Sequence, residues 1–108
     1  MRLIGLRSCD TCRAARKALE AAGHEPDVRD LREEPLDRAE IAGLYETFGA
    51  ALVNRRSTTW RGLDAKAQGA DPVDLIATHP TVMKRPVILD GEAAYLGWTP
   101  ETRRALGL

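Results

Sequence analysis

Cys9 and Cys12 are the only cysteines in this chain, and they stand three positions apart in Cys9-Asp10-Thr11-Cys12. The motif follows a short apolar run and opens a stretch with helical spacing. Residues i and i+3 at the start of a helix share a face, so the two thiols can exchange electrons with each other. An exposed helix N-terminus carries unsatisfied N–H groups and a partial positive charge, which favour a thiolate over a thiol. Thiolate is the reacting species, and Cys9 is therefore the candidate nucleophile. A bridge closing so small a loop would constrain the unfolded chain little. Catalysis, redox sensing and metal binding remain as uses for the pair. Zinc normally takes four ligands at close spacings. His24 and His79 form no second close pair, so no metal site is expected.

The elements that must position these thiols can be traced along the chain. Leu3 to Leu6 reads as a buried first strand, turned by Arg7-Ser8 into the cysteine loop. From about Thr11 to Ala22, Ala15, Ala18, Leu19 and Ala22 recur at helical spacing, and Gly23 ends the helix. Thr11 is read as its cap or as a substrate contact. Val28 and Leu31 mark a second strand within 25–31, parallel to the first because one helical crossover joins them. Asp37 with Glu40 three positions later predicts a capping box. The helix it opens carries Ile41, Leu44, Tyr45 and Phe48 and closes at Gly49. A polar stretch, 54–60, begins as loop and enters a short helix near Thr59, and Asp71-Pro72 starts another helix that runs to Pro80. Asp90-Gly91 between apolar runs predicts a hairpin, and Thr99-Pro100 opens a last helix. The order is β, α, β, a helical block, β, β, α. This is an α/β, thioredoxin-like (glutaredoxin-like) plan: a mixed sheet with a helical segment inserted between its halves. The expected organisation is one domain over residues 1–108, with a core of 1–35 and 81–108 and an insertion of 36–80.

A chain of 108 residues has room for one core. With 16 basic and 16 acidic residues the formal charge is zero, which offers no bulk attraction to nucleic acid or to a membrane. Thirteen of the sixteen basic residues are arginine, whose fixed fork suits oxyanions. The N-terminal apolar run is too short for a signal peptide or a membrane span, so a soluble, cytoplasmic protein is expected; a monomer is expected as well.

The chain resembles the arsenate reductase (ArsC) family. The likeness is carried by Cys9-Asp10-Thr11-Cys12-Arg13, by Leu52-Val53-Asn54-Arg55-Arg56-Ser57-Thr58-Thr59-Trp60, and by His79-Pro80 followed by Lys84-Arg85-Pro86-Val87. It is greatest to the small YffB-type members and more distant to the Spx regulators. The resemblance implies that Cys9 is the nucleophile and that Pro86 is a cis-proline facing it, with Arg85 aimed at the cysteine loop. Arg85 and Arg13 would then lower the Cys9 pKa, and could hold an oxyanion or the carboxylates of glutathione. Asn54 and Arg56 join Thr11, Arg13, Arg85 and Pro86 as candidate substrate-binding residues. No bound cofactor is implied; glutathione is the expected co-substrate, with glutaredoxin or thioredoxin as the alternative, a protein partner.

Three departures from the family pattern narrow the activity. Asn54 stands where the reductases carry an arginine, Leu96-Gly97-Trp98-Thr99-Pro100 replaces the stretch holding another, and Cys12 replaces a serine. Each missing charge-assisted hydrogen bond is worth roughly 1.5–3 kcal/mol, which weakens binding of a tetrahedral dianion. Cys12 adds an internal resolving thiol. The leading expectation is a thiol-disulfide oxidoreductase using a disulfide substrate. Arsenate reduction, and a Spx-like redox-sensing contact with RNA polymerase, are the alternatives.

Overall fold

A computed structural model describes residues 1–108. It contains strands β1 (Arg2–Gly5), β2 (Asp27–Asp30), β3 (Val87–Asp90) and β4 (Ala93–Leu96). The helices are α1 (Asp10–Ala21), α2 (Arg38–Phe48), α3 (Thr58–Arg61), α4 (Ala65–Gln68), α5 (Pro72–Thr78) and α6 (Pro100–Ala105). The chain divides into two compact units, one of residues 1–34 and 85–108, the other Pro35–Lys84.

In the first unit the strands lie in the order β2-β1-β3-β4. β1 is parallel to β2, as the single helical crossover requires, and antiparallel to β3. The inner strands are apolar because both of their faces are covered. Leu3 and Ile88 are paired across β1 and β3, and they join Cys12, Ala15, Leu19 and Leu106 in one buried cluster. Ile4 and Val87, also paired, are buried on the opposite face. The inward stripe of α1 is thus Cys12, Ala15 and Leu19. Ala22, expected on that stripe, lies past the helix end and is exposed.

The second unit is built on local signals. Asp37 and Glu40 form the capping box on α2, with Glu40 N–H donating to Asp37 at 2.8 Å and Asp37 N–H to Glu40 at 3.1 Å. Asp71 caps α5 through the Val73 and Asp74 N–H groups. α2 packs against α5, and Arg38 pairs with Asp74 across them. The unit reaches Lys84, beyond the expected limit at residue 80, because its C-terminal end is stitched to its middle. Val53 and Met83 form an antiparallel bridge, the Asn54 N–H donates to the Val82 carbonyl at 2.8 Å, and the Lys84 N–H to the Leu52 carbonyl at 2.8 Å.

Candidate active site

The cysteine loop is set by the end of β1. Leu6 accepts the Cys9 N–H at 3.1 Å, closing a turn through Arg7 and Ser8 that delivers Cys9 as the N-cap of α1. Cys9 is half-buried, while Cys12, in the first turn, is only 3% exposed. Both are free thiols. Thr11 is therefore not the cap; it lies inside the first turn with its side chain in solvent.

The two sulfurs have opposite electrostatics. Burial pushes the Cys9 thiol up, but the Cys12 N–H, the Cys12 thiol and the Arg85 guanidinium together outweigh it and hold Cys9 below its ordinary value. No cap hydrogen bond is formed by the Cys9 side chain, so the Cys12 N–H acts as a nearby donor dipole for a thiolate. Cys12 is pushed up to about 11, chiefly by burial, then by the Cys9 sulfur beside it, against lowering contributions from the Leu6 backbone and Arg85. At neutral pH the arrangement is one activated thiol with a neutral thiol next to it.

Arg85 reaches this site from the turn before β3, and its bond to the buried Pro86 is cis. The Pro86 carbonyl accepts the Gly97 N–H at 2.8 Å, which ties this segment to the end of β4. Arg13, expected to help lower the Cys9 pKa, is not among the groups that favour its thiolate. It lies one turn on from Asp10 along α1, so its guanidinium pairs with that carboxylate on the solvent face. Asn54 and Arg56 belong to the second unit. There the Asn54 side chain accepts the Arg56 N–H at 3.0 Å and its carbonyl accepts from Ser57, an arrangement that builds the turn into α3. Arg55 stacks over Trp60 at 5.7 Å, and Arg56 is exposed. Trp98, in the segment that lacks the family arginine, packs against the cluster containing Cys12, with Arg103 over its ring at 5.9 Å.

One contributor was missed at the level of sequence. Asp30, at the end of β2, is 7% exposed and accepts the Arg7 N–H at 2.8 Å and the Arg32 N–H at 2.7 Å. It thereby anchors the cysteine loop. The only signal was an acid directly before buried Leu31, where outward-facing charge is the commoner reading. The Arg7 and Arg32 N–H groups hold its carboxyl below the usual carboxylate range, against the opposing effect of burial. Its stabilising contribution is therefore complete above about pH 4 and is lost as the pH falls through its lowered folded value. Asp30→Asn is expected to lower the melting temperature by roughly 4–8 °C, equivalent to about 1 kcal/mol in a chain of this size. Melting curves between neutral pH and pH 3 check this, since the gap between variant and parent must narrow on acidification.

The fold and this site define a thioredoxin-like thiol protein, with a half-exposed activated cysteine at a helix start and a cis-proline turn bearing the arginine that faces it. The chain belongs to the ArsC family, whose family model matches residues 5–106. It is 34% identical to an uncharacterized protein of Haemophilus influenzae over 95% of each chain, and 32% identical to the uncharacterized protein YusI of Bacillus subtilis over 83% of each. It is 30% identical to a global transcriptional regulator, Spx, of Streptococcus pyogenes, over 91% of this chain and 78% of the regulator. Among solved structures, the YFFB protein superposes with a TM-score of 0.90 at 27% identity, over 97% of this chain and 96% of that one. An arsenate reductase (ArsC) related protein from Brucella melitensis gives 0.77 at 28% identity, over 96% and 91%. These likenesses support a thiol-dependent reductase in general terms.

Proposed function

We propose that this protein is a thiol-disulfide oxidoreductase that draws its electrons from glutathione, with Cys9 attacking and Cys12 resolving. The observation that carries the reading is the asymmetry of the pair: Cys9 is half-exposed and held below its ordinary pKa, whereas Cys12 is buried and neutral. The Cys9 thiolate attacks a substrate disulfide, forms a mixed disulfide and expels one substrate thiolate. Cys12 then attacks the Cys9 sulfur, its proton leaves with the second substrate thiol, and an internal disulfide remains. Two equivalents of glutathione return that disulfide to the dithiol. Arg85 stabilises the attacking thiolate and supplies a cation for a carboxylate of glutathione. Arsenate is the less favoured substrate, because Asn54 and the segment around Trp98 lack the arginines a dianion would use.

Cys12→Ala tests the scheme. A glutathionylated peptide offered to this variant is expected to leave Cys9 carrying glutathione as a stable mixed disulfide, seen by intact mass spectrometry, until free glutathione is added. Prompt loss of the adduct without added thiol would refute Cys12 as the resolving group. The kinship with Spx favours a second reading, in which the same disulfide governs binding to RNA polymerase. Retention of polymerase subunits by the oxidised chain but not by the reduced one would establish it in place of the first.

A further inference from the structure

β1 carries Arg2-Leu3-Ile4-Gly5, in which the buried apolar side chains of Leu3 and Ile4 are followed by a buried position with none. Gly5 is paired on one side with Asp30 of β2, and its carbonyl accepts the Leu31 N–H at 2.9 Å. Its backbone does not lie in the left-handed region, so alanine is conformationally acceptable there. The reason for glycine is a neighbour. A Cβ built on Gly5 would lie 2.5 Å from Cys12 Sγ, far inside any real contact, and 3.4 Å from Cys12 Cβ, which is ordinary packing. The sulfur alone occupies the space a side chain would need.

We propose that Gly5 is a positioning residue for the second thiol: the missing side chain on β1 is what allows Cys12 Sγ to rest against the strand within reach of Cys9. The inference builds on the reading of Cys9 and Cys12 as a working dithiol. An added methyl group at Gly5 forces the sulfur to move by about 1 Å before normal contact is restored. There is room for it to go. A cavity of about 110 Å³ lies beside Cys12, bounded by Leu3, Leu6 and Val28 and by arginines including Arg7. The displaced thiol would be out of line for attack on Cys9. A misplacement of about 1 Å at a reacting atom can cost ~10²-fold in rate.

The step affected is the closing one. Oxidised glutathione converts the Cys9 thiolate to a Cys9–glutathione disulfide and releases one glutathione thiolate. Cys12 Sγ then bonds to Cys9 Sγ, the bond to glutathione breaks, and the Cys12 proton leaves on the second glutathione. Gly5→Ala impairs the second attack far more than the first, which loses only the share of the Cys12 thiol in favouring the Cys9 thiolate.

The test uses the full chain as wild type, Gly5→Ala, Cys12→Ala and the double variant, with oxidised glutathione as the probe. Formation of the internal disulfide is expected to slow by roughly 10- to 100-fold in Gly5→Ala, while addition of glutathione to Cys9 slows no more than it does in Cys12→Ala, which lacks the neighbouring thiol altogether. The drop in melting temperature caused by Gly5→Ala is expected to be largely abolished when Cys12 is already alanine, because the sulfur that the new methyl group would strike is gone. If Gly5→Ala fails to fold, recovery of folding in the double variant makes the same point. Disulfide closure at the wild-type rate, or an equal loss of stability with and without the Cys12 sulfur, overturns the proposal. Failure of the wild type itself to form the internal disulfide would count against the dithiol reading, and the stability comparison would still decide whether Gly5 makes room for Cys12.

Discussion

Cys9→Ser is expected to lose at least ~10³-fold of its activity toward a glutathionylated peptide, at every pH where the wild type works. A serine hydroxyl does not ionise in this range, so none of the groups that favour a Cys9 thiolate can activate it. The fold itself gives no reason for loss. Cys9 is half-exposed and occupies the N-cap of α1 without making a cap hydrogen bond. Serine is among the preferred residues at such a position, since its oxygen can accept an N–H of the first turn. The variant is therefore expected to melt at or slightly above the wild-type temperature while being inert. Steady-state assays alongside melting curves check both halves. Activity within tenfold of wild type would remove Cys9 from the reaction.

Arg85→Ala carries the second large effect. Burial alone would raise the Cys9 pKa, and the guanidinium opposes it both as a hydrogen-bond partner and as a charge. Removing it leaves the burial penalty in place, so the value must move up. Losing a cation beside an acid moves its ionisation to higher pH. The rate of Cys9 alkylation by iodoacetamide, a neutral reagent, then rises through a midpoint moved upward from the wild-type one, which itself lies below the usual thiol value near ~8.5. Below the midpoint the thiolate fraction falls tenfold for each pH unit, so the rate at neutral pH drops in step with the upward move. Arg85→Lys keeps the charge but not the planar fork, and is expected to fall between the two. An unchanged midpoint in Arg85→Ala would show that Arg85 does not act on the sulfur.

What was legible in the sequence was mostly what is local. Asp37 with Glu40, Asp71-Pro72, Thr99-Pro100 and Asp90-Gly91 each punctuate the chain by chemistry contained within a few residues, and each marks an element where it was expected. The single-turn helices α3 and α4 are local too, but four residues carry no hydrophobic period, and α4 was not anticipated. Arg13 had a readable partner in Asp10, three positions back, which the pull of the cysteine motif obscured. Gly5 and Asp30 were illegible for a different reason. The space at Gly5 is taken by a sulfur from another element, and the Asp30 carboxylate meets the N–H of Arg7, distant in sequence. Neither relation leaves a spacing that can be read along the chain.

The pairing of β1 with β3, Ile4 against Val87, has a consequence for the protein while it is being made. Synthesis runs from the N-terminus, at ~5–20 residues per second. Cys9 therefore emerges seconds before Arg85 exists to face it. Until β3 docks along β1, the nascent thiol lacks the guanidinium that favours its ionised form. The same docking must close a long loop, whose entropic cost grows only slowly with its length. The reactive sulfur is thus least armed during its most exposed interval, and it reaches full potency only once β3 has been made and has docked along β1.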